Sequence, residues 1–129
     1  MSHEDAFPRA FIVGDKQERY LELLASPRRR RGFLDRLNHH LDYEPAFATL
    51  VPAGEQTASG IERLLRQRGA PDMCHTISCH ADWDARELPL HEALDLIVGL
   101  SMGTILCCIP GKLAYYETED RSRRYILFR

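Results

Sequence analysis

"MCHTISCHADWDARELPLHEALDLIVGLSMGTILCCI", Met73 to Ile109, is the stretch on which the fold turns. Its first seven residues favour extended backbone, which would place Met73, His75, Ile77 and Cys79 on one face and Cys74, Thr76 and Ser78 on the other. A helix is expected from about Leu88 to Ser101, with Pro89 near its start and Leu90, Leu94, Ile97 and Val98 along one side. Ala93, Leu96 and Leu100 widen that stripe, so the helix should be mostly buried. "TILCCI", 104–109, shows no alternation, the mark of a strand covered on both faces. Strand, helix and strand in that order predict a parallel pair joined by a right-handed crossover.

The flanks supply the remaining elements. Downstream, Pro110-Gly111 turns into "LAYYET" and "EDRS" turns into "RRYILF", an antiparallel meander. Upstream, Asp15 with Glu18 reads as a capping box for a helix carrying Tyr20, Leu21 and Leu24. Ser26-Pro27 starts a second helix, with Phe33, Leu34, Leu37 and Leu41 at helical spacing. "AFATLVP", 46–52, reads as extended. Thr57 caps a third helix through Ile61, Leu64 and Leu65, and Gly69-Ala70-Pro71 stops it. No repeat or linker divides the chain, so residues 1–129 are expected to form one domain. The expected class is α+β: N-terminal helices, then a β-α-β-β-β unit whose strands form a mixed four-stranded sheet with helices packed on it.

Composition is that of a globular chain, 44% hydrophobic and 28% charged, with formal net charge −2. That balance gives nucleic-acid binding no global support. Charge is unevenly spread: residues 26–41 hold five arginines against Asp35, and 71–100 hold six acids against Arg86. The N-terminus has acids where a signal peptide needs bases, so a cytoplasmic protein with reduced cysteines is expected. Arginine heavily outnumbers lysine and Asn38 is the lone asparagine, a bias of GC-rich bacterial genomes. The uncharged run from Leu96 to Gly111 is too short and too glycine-rich for a membrane span.

Chemistry is sought first where histidine meets acids. In extended backbone His80, Asp82 and Asp84 share one side, and imidazole with two carboxylates suits a divalent cation such as magnesium or manganese. His91, one turn into the following helix, is a fourth candidate ligand, and Arg86 would stabilise negative charge in a metal-assisted phosphate or ester hydrolase. Trp83 would then point the other way, toward the core. A plainer reading has Asp84 capping the helix with Glu87 as its capping-box partner. Cys74 and Cys79, five apart on one strand, face opposite ways and do not suit a zinc site.

Other motifs fail on context. "GLSMG", 99–103, matches the G-x-S-x-G of serine hydrolases, but a helix precedes Ser101 and no histidine follows it. Its glycines read instead as a helix exit with Gly103 just past the last turn. A Cys-His nucleophile pair would need exposure that neighbours such as Ile77 and Leu106 deny. "PAGEQTASG", before the third helix, is a generic anion-binding sequence without the P-loop lysine. Tyr115 and Tyr116 point to opposite faces of their strand, one of them available to an interface.

Arg28, Arg29, Arg30 and Arg31 are the sharpest basic feature. Four consecutive arginines cannot share one helical face, and a helix N-terminus repels cations, so an acidic partner within the chain or outside it is expected. Arg28–Arg31, with Trp83 and Arg86, are the candidate binding residues. The leading expectation is a small non-enzymatic interaction or regulatory module without cofactor, binding a protein partner or itself as a homodimer. The alternatives are the metal-assisted hydrolase built on His80, Asp82 and Asp84, and nucleic-acid binding through the arginine helix.

Overall fold

The computed structural model describes residues 1–129. Three short helices lead the chain: α1 (His3–Phe11), α2 (Gln17–Ala25) and α3 (Arg30–Asn38). β1 (Ala48–Leu50) and α4 (Ala58–Gln67) follow, then β2 (Met73–Ser78), β3 (Glu87–Pro89), α5 (Leu90–Ile97), β4 (Thr104–Ile109), β5 (Leu113–Glu117) and β6 (Arg124–Phe128). The strands form a single sheet in the order β1-β6-β5-β4-β2-β3. Every pairing is antiparallel.

The mixed four-stranded sheet expected from the sequence is thus replaced by six antiparallel strands. One short element accounts for most of the change. Glu87–Pro89, expected within or beside the helix start, is an edge strand that folds back along β2, with His75 opposite Glu87 and Met73 opposite Pro89. That reversal returns the chain to the starting end of β2 before α5 begins. α5 therefore carries the chain up again, and β4 enters beside the end of β2, with Ser78 opposite Thr104. An added hairpin changes the parity of the crossover, so a parallel pair becomes antiparallel. β1, with Ala48 opposite Leu127, supplies the sixth strand. Three residues are too few to show a period.

The side chains of the sheet alternate between two helix layers. Ile77, Ile105, Cys107, Ala114, Tyr116 and Leu127 pack with Phe7 and Phe11 of α1, Tyr20 of α2, and Phe33 and Leu37 of α3. On the reverse, Cys74, Leu106, Cys108, Leu113, Tyr115 and Ile126 pack with Ile61 and Leu65 of α4 and with Leu90, Leu94 and Ile97 of α5. A sheet between two helix layers explains the unbroken apolar run of β4, buried on both faces. No helix is long and apolar enough to cross a membrane.

The cap at Thr57 forms as expected, and other local signals resolve differently in space. Thr57 caps α4, its Oγ1 accepting the Gly60 N–H at 3.0 Å. Asp15 caps nothing; it lies in a 3-10 turn (Gly14–Lys16), and α2 starts without a side-chain cap. α1 rests on Ser2, whose Oγ accepts the Asp5 N–H at 3.1 Å. α5 ends at Ile97, so Gly99, at φ +92°, is the helix exit, not Gly103. Gly103 is small for another reason. A Cβ there would lie 2.5 Å from the Leu37 backbone, because the end of α3 crosses the start of β4 at that point.

Candidate functional site: a half-buried ionic relay beneath the N-terminal helix

The sheet directs His75 toward the N-terminal helices. The β2–β3 register sets Glu87 directly beside it, His75 Nδ1 to Glu87 Oε1 at 2.5 Å. The first turn of α1 lowers Glu4 onto the other nitrogen, Nε2 to Oε2 at 2.7 Å. Arg30, in the first turn of α3, then grips Glu4 through Nη1 at 2.5 Å and Nη2 at 2.9 Å. The same guanidinium grips Asp84 through Nε at 2.7 Å and Nη2 at 2.8 Å. Asp84 Oδ1 also accepts the Ser78 N–H at 3.0 Å. The chain of contacts runs Asp84–Arg30–Glu4–His75–Glu87 and ties α1, α3, β2, β3 and the 79–86 loop together.

His3 stacks flat on His75, ring centres 5.7 Å apart and planes 5° from parallel. With Ser2, Glu4, His75 and Glu87 it lines a polar recess of about 450 Å³. Its Nδ1 is buried without a hydrogen-bond partner. Charges are correspondingly displaced. Burial pushes the Glu4 carboxyl up, but hydrogen bonds from His75 and Arg30 overcome it and hold the group down at about 2. The hydrogen bond to Glu4 raises His75 above its ordinary value; burial opposes this and Glu87 reinforces it. His3 is lowered, by burial and then by the charge of His75.

The ligand set expected from the sequence is only partly gathered. His80 Nδ1 accepts the Asp82 N–H at 3.3 Å and lies 3.9 Å from Asp82 Oδ2. Asp84 turns away from both, into Arg30, and is not the cap of α5. His91 sits in the other helix layer, bonded to Glu62 at 2.8 Å and beside Asp95 at 3.4 Å. No group of three or more histidine, cysteine or acidic side chains is arranged to hold a metal ion. Trp83 stacks on His80 with ring centres 4.0 Å apart, and Arg86 Nη1 donates to the Asp82 carbonyl at 3.0 Å. The Thr76 hydroxyl donates to the Trp83 carbonyl and accepts the Arg86 N–H, so the loop is folded around a strand residue.

Cys74 and Cys79 fall in opposite layers, and all four cysteines are free. Burial pushes the thiols of Cys74 and Cys108 up to about 12 and that of Cys79 to about 11, which makes them poor nucleophiles. The "GLSMG" turn has an internal use. Its Gly99 and Ser101 N–H groups both donate to Glu117 Oε2 at 3.1 Å, while Tyr115 Oη and Arg124 Nε donate to Oε1.

Sequence reasoning missed Glu4, His75 and Glu87 as a unit. One signal was available: an imidazole among core positions on a strand requires a partner. Nothing in the sequence says that the partner comes from residue 4. No protein-family model matches the chain, and no curated protein or solved structure is significantly similar to it.

Proposed function

We propose that this protein is a non-catalytic interaction module of the cytoplasm that docks an acidic segment of a protein partner, or of a second copy of itself, on its arginine turn. The observation that carries this reading is the two-pronged pair between Arg30 and Asp84. It ties the start of α3 to the 79–86 loop, which carries the stacked His80–Trp83 pair and Arg86, while Arg28, Arg29 and Arg31 around it are exposed. Arginine and tryptophan are the side chains that dominate interface energetics. Arg30 is neutralised within the chain, whereas Arg31 has only Asp35 at 4.0 Å across solvent. Cations left uncompensated at a helix N-terminus favour an external anion.

The ionic relay supports the same reading from the other side. Each His75 nitrogen and each Glu4 oxygen already has a partner within the chain, which fits a cluster that fastens the fold.

A synthetic glutamate-rich peptide titrated into the protein at low salt tests the proposal, with sedimentation to detect self-association. Binding that falls with salt, disappears in Arg28→Glu/Arg29→Glu/Arg31→Glu and weakens in Trp83→Ala supports it. Neither peptide binding nor self-association at low salt overturns it. Equal or tighter binding to an arbitrary DNA duplex would reassign the patch to phosphate recognition.

A further inference from the structure

β3 is three residues long and forms the outer edge of the sheet. Apart from its ladder with β2, it is linked to α1 by Glu87 on one nitrogen of His75, whose other nitrogen holds Glu4. The proton count of that tie is decisive. An ionised carboxylate only accepts hydrogen bonds, a neutral imidazole has one N–H, and an imidazolium has two. His75 faces carboxylate oxygens at both nitrogens, Glu4 at 2.7 Å and Glu87 at 2.5 Å. Both bonds exist together only while His75 carries its second proton.

The two carboxylates are not equally held. Glu4 is gripped by Arg30 through both oxygens, whereas the Glu87 side chain is 59% exposed. When the proton leaves, the remaining N–H stays with Glu4, and the Nδ1 lone pair confronts Glu87. Two acceptors repel at that distance, and Glu87 is the one free to turn into water. The surrounding groups do not alter this outcome. From α1, Ser2 is uncharged, and His3 is lowered by burial and then by the charge of His75, with the charge of Glu87 opposing both. From β4, Cys107 stands opposite His75 as a neutral thiol, raised by burial. Arg30, raised by Asp84 and Glu4, stays charged throughout, with Asp84 on its far side.

We propose that His75 is a proton-operated latch: as imidazolium it clasps Glu4 and Glu87 together and holds β3 to the N-terminal layer, and as neutral imidazole it releases Glu87, loosens β3 and opens the recess at Nδ1. The latch does not depend on the arginine-turn reading. Because the folded state raises His75, the latch is fully closed below its ordinary value near 6.5 and opens as pH rises through the folded value.

The test follows the His75 ring by NMR together with amide exchange in β2 and β3, corrected for base catalysis, from about pH 5 to pH 10. In the native protein, protection in β3 should fall about tenfold with the midpoint of the His75 titration, the effect of losing one charge-assisted hydrogen bond. Glu87→Gln is the discriminating variant. A glutamine can accept from imidazolium or donate to neutral imidazole, so its β3 should stay protected at both ends with no step. Unchanged β3 protection through the His75 titration overturns the proposal. So does an equal step in Glu87→Gln, or a His75 that does not titrate in this range. Arg28→Glu/Arg29→Glu/Arg31→Glu should leave the step unchanged, which separates this test from that of the arginine turn.

Discussion

Arg30 and Asp84, 54 positions apart in sequence, meet through two parallel hydrogen bonds of 2.7 and 2.8 Å. The pair is the internal form of the attraction between the basic 26–41 segment and the acidic 71–100 segment. It joins the N-terminal layer to the loop after β2, and it uses one of the four arginines that the sequence leaves open to any partner.

Arg30→Ala should be strongly destabilising. It strips two carboxylates, Glu4 and Asp84, whose side chains are about one-fifth exposed or less, of their shared cation. Breaking such a pair from one side costs about 3–5 kcal/mol, readable in a denaturant melt. Arg30→Lys should recover only part of the loss, because an ammonium cannot grip two carboxylates bidentately. A cost below about 1 kcal/mol for the alanine variant, the scale of a surface pair, would show that the relay contributes little.

Glu117 should be the costliest carboxylate to remove. Its side chain is 0% exposed, its Arg124 partner 9%, and it accepts from four donors. Glu117→Ala leaves a buried guanidinium and two orphaned N–H groups, a loss of about 3–5 kcal/mol. Replacing Arg124 as well should cost less than the sum of the single changes. A double-mutant cycle measures the difference, and strict additivity would argue against coupling.

Ser101 adopts φ +58° and buries an Oγ that has no partner. Ser101→Gly should therefore stabilise the protein by up to about 1 kcal/mol, seen as a higher melting temperature. Gly103→Ala should do the reverse, because its Cβ meets the Leu37 backbone, which cannot yield like a flexible side-chain tip. Equal melting temperatures for the two variants would contradict this account of the turn.

Acid should weaken the N-terminal layer through Glu4. Its carboxyl is depressed in the folded protein to about 2 from 4.5, so its stabilisation is complete above 4.5 and is lost as pH falls toward 2. Glu4→Gln should flatten that limb of a stability–pH profile and lower the plateau above it. A profile with the same acid slope in native and variant proteins would show that other carboxylates govern acid unfolding.

Much of the local structure was legible because it depends on neighbours in the chain. The three helices around Tyr20, Phe33 and Ile61, the alternation of Cys74 and Cys79, and the two-sided burial of Thr104–Ile109 all follow from periodicity and turn residues. The relay was not legible. His75 looks like any strand residue until β3 brings Glu87 and α1 brings Glu4, from 12 and 71 positions away. Asp84 illustrates the limit most clearly: an acid shortly before a helix satisfies the capping pattern, yet a cation in another layer outcompetes the cap.

Side-chain period and backbone preference are local properties, so the helices around Tyr20, Phe33, Ile61 and Leu94 and the strands at 73–78, 104–109, 113–117 and 124–128 can be read from the chain, whereas α1 and β3 are not legible there. The strand order, the antiparallel sense of β2 and β4, and the membership of the ionic cluster arise from long-range packing. Those depend on a three-residue edge strand too short to carry a period, and on charge pairs whose energy comes from exclusion of water by packed layers.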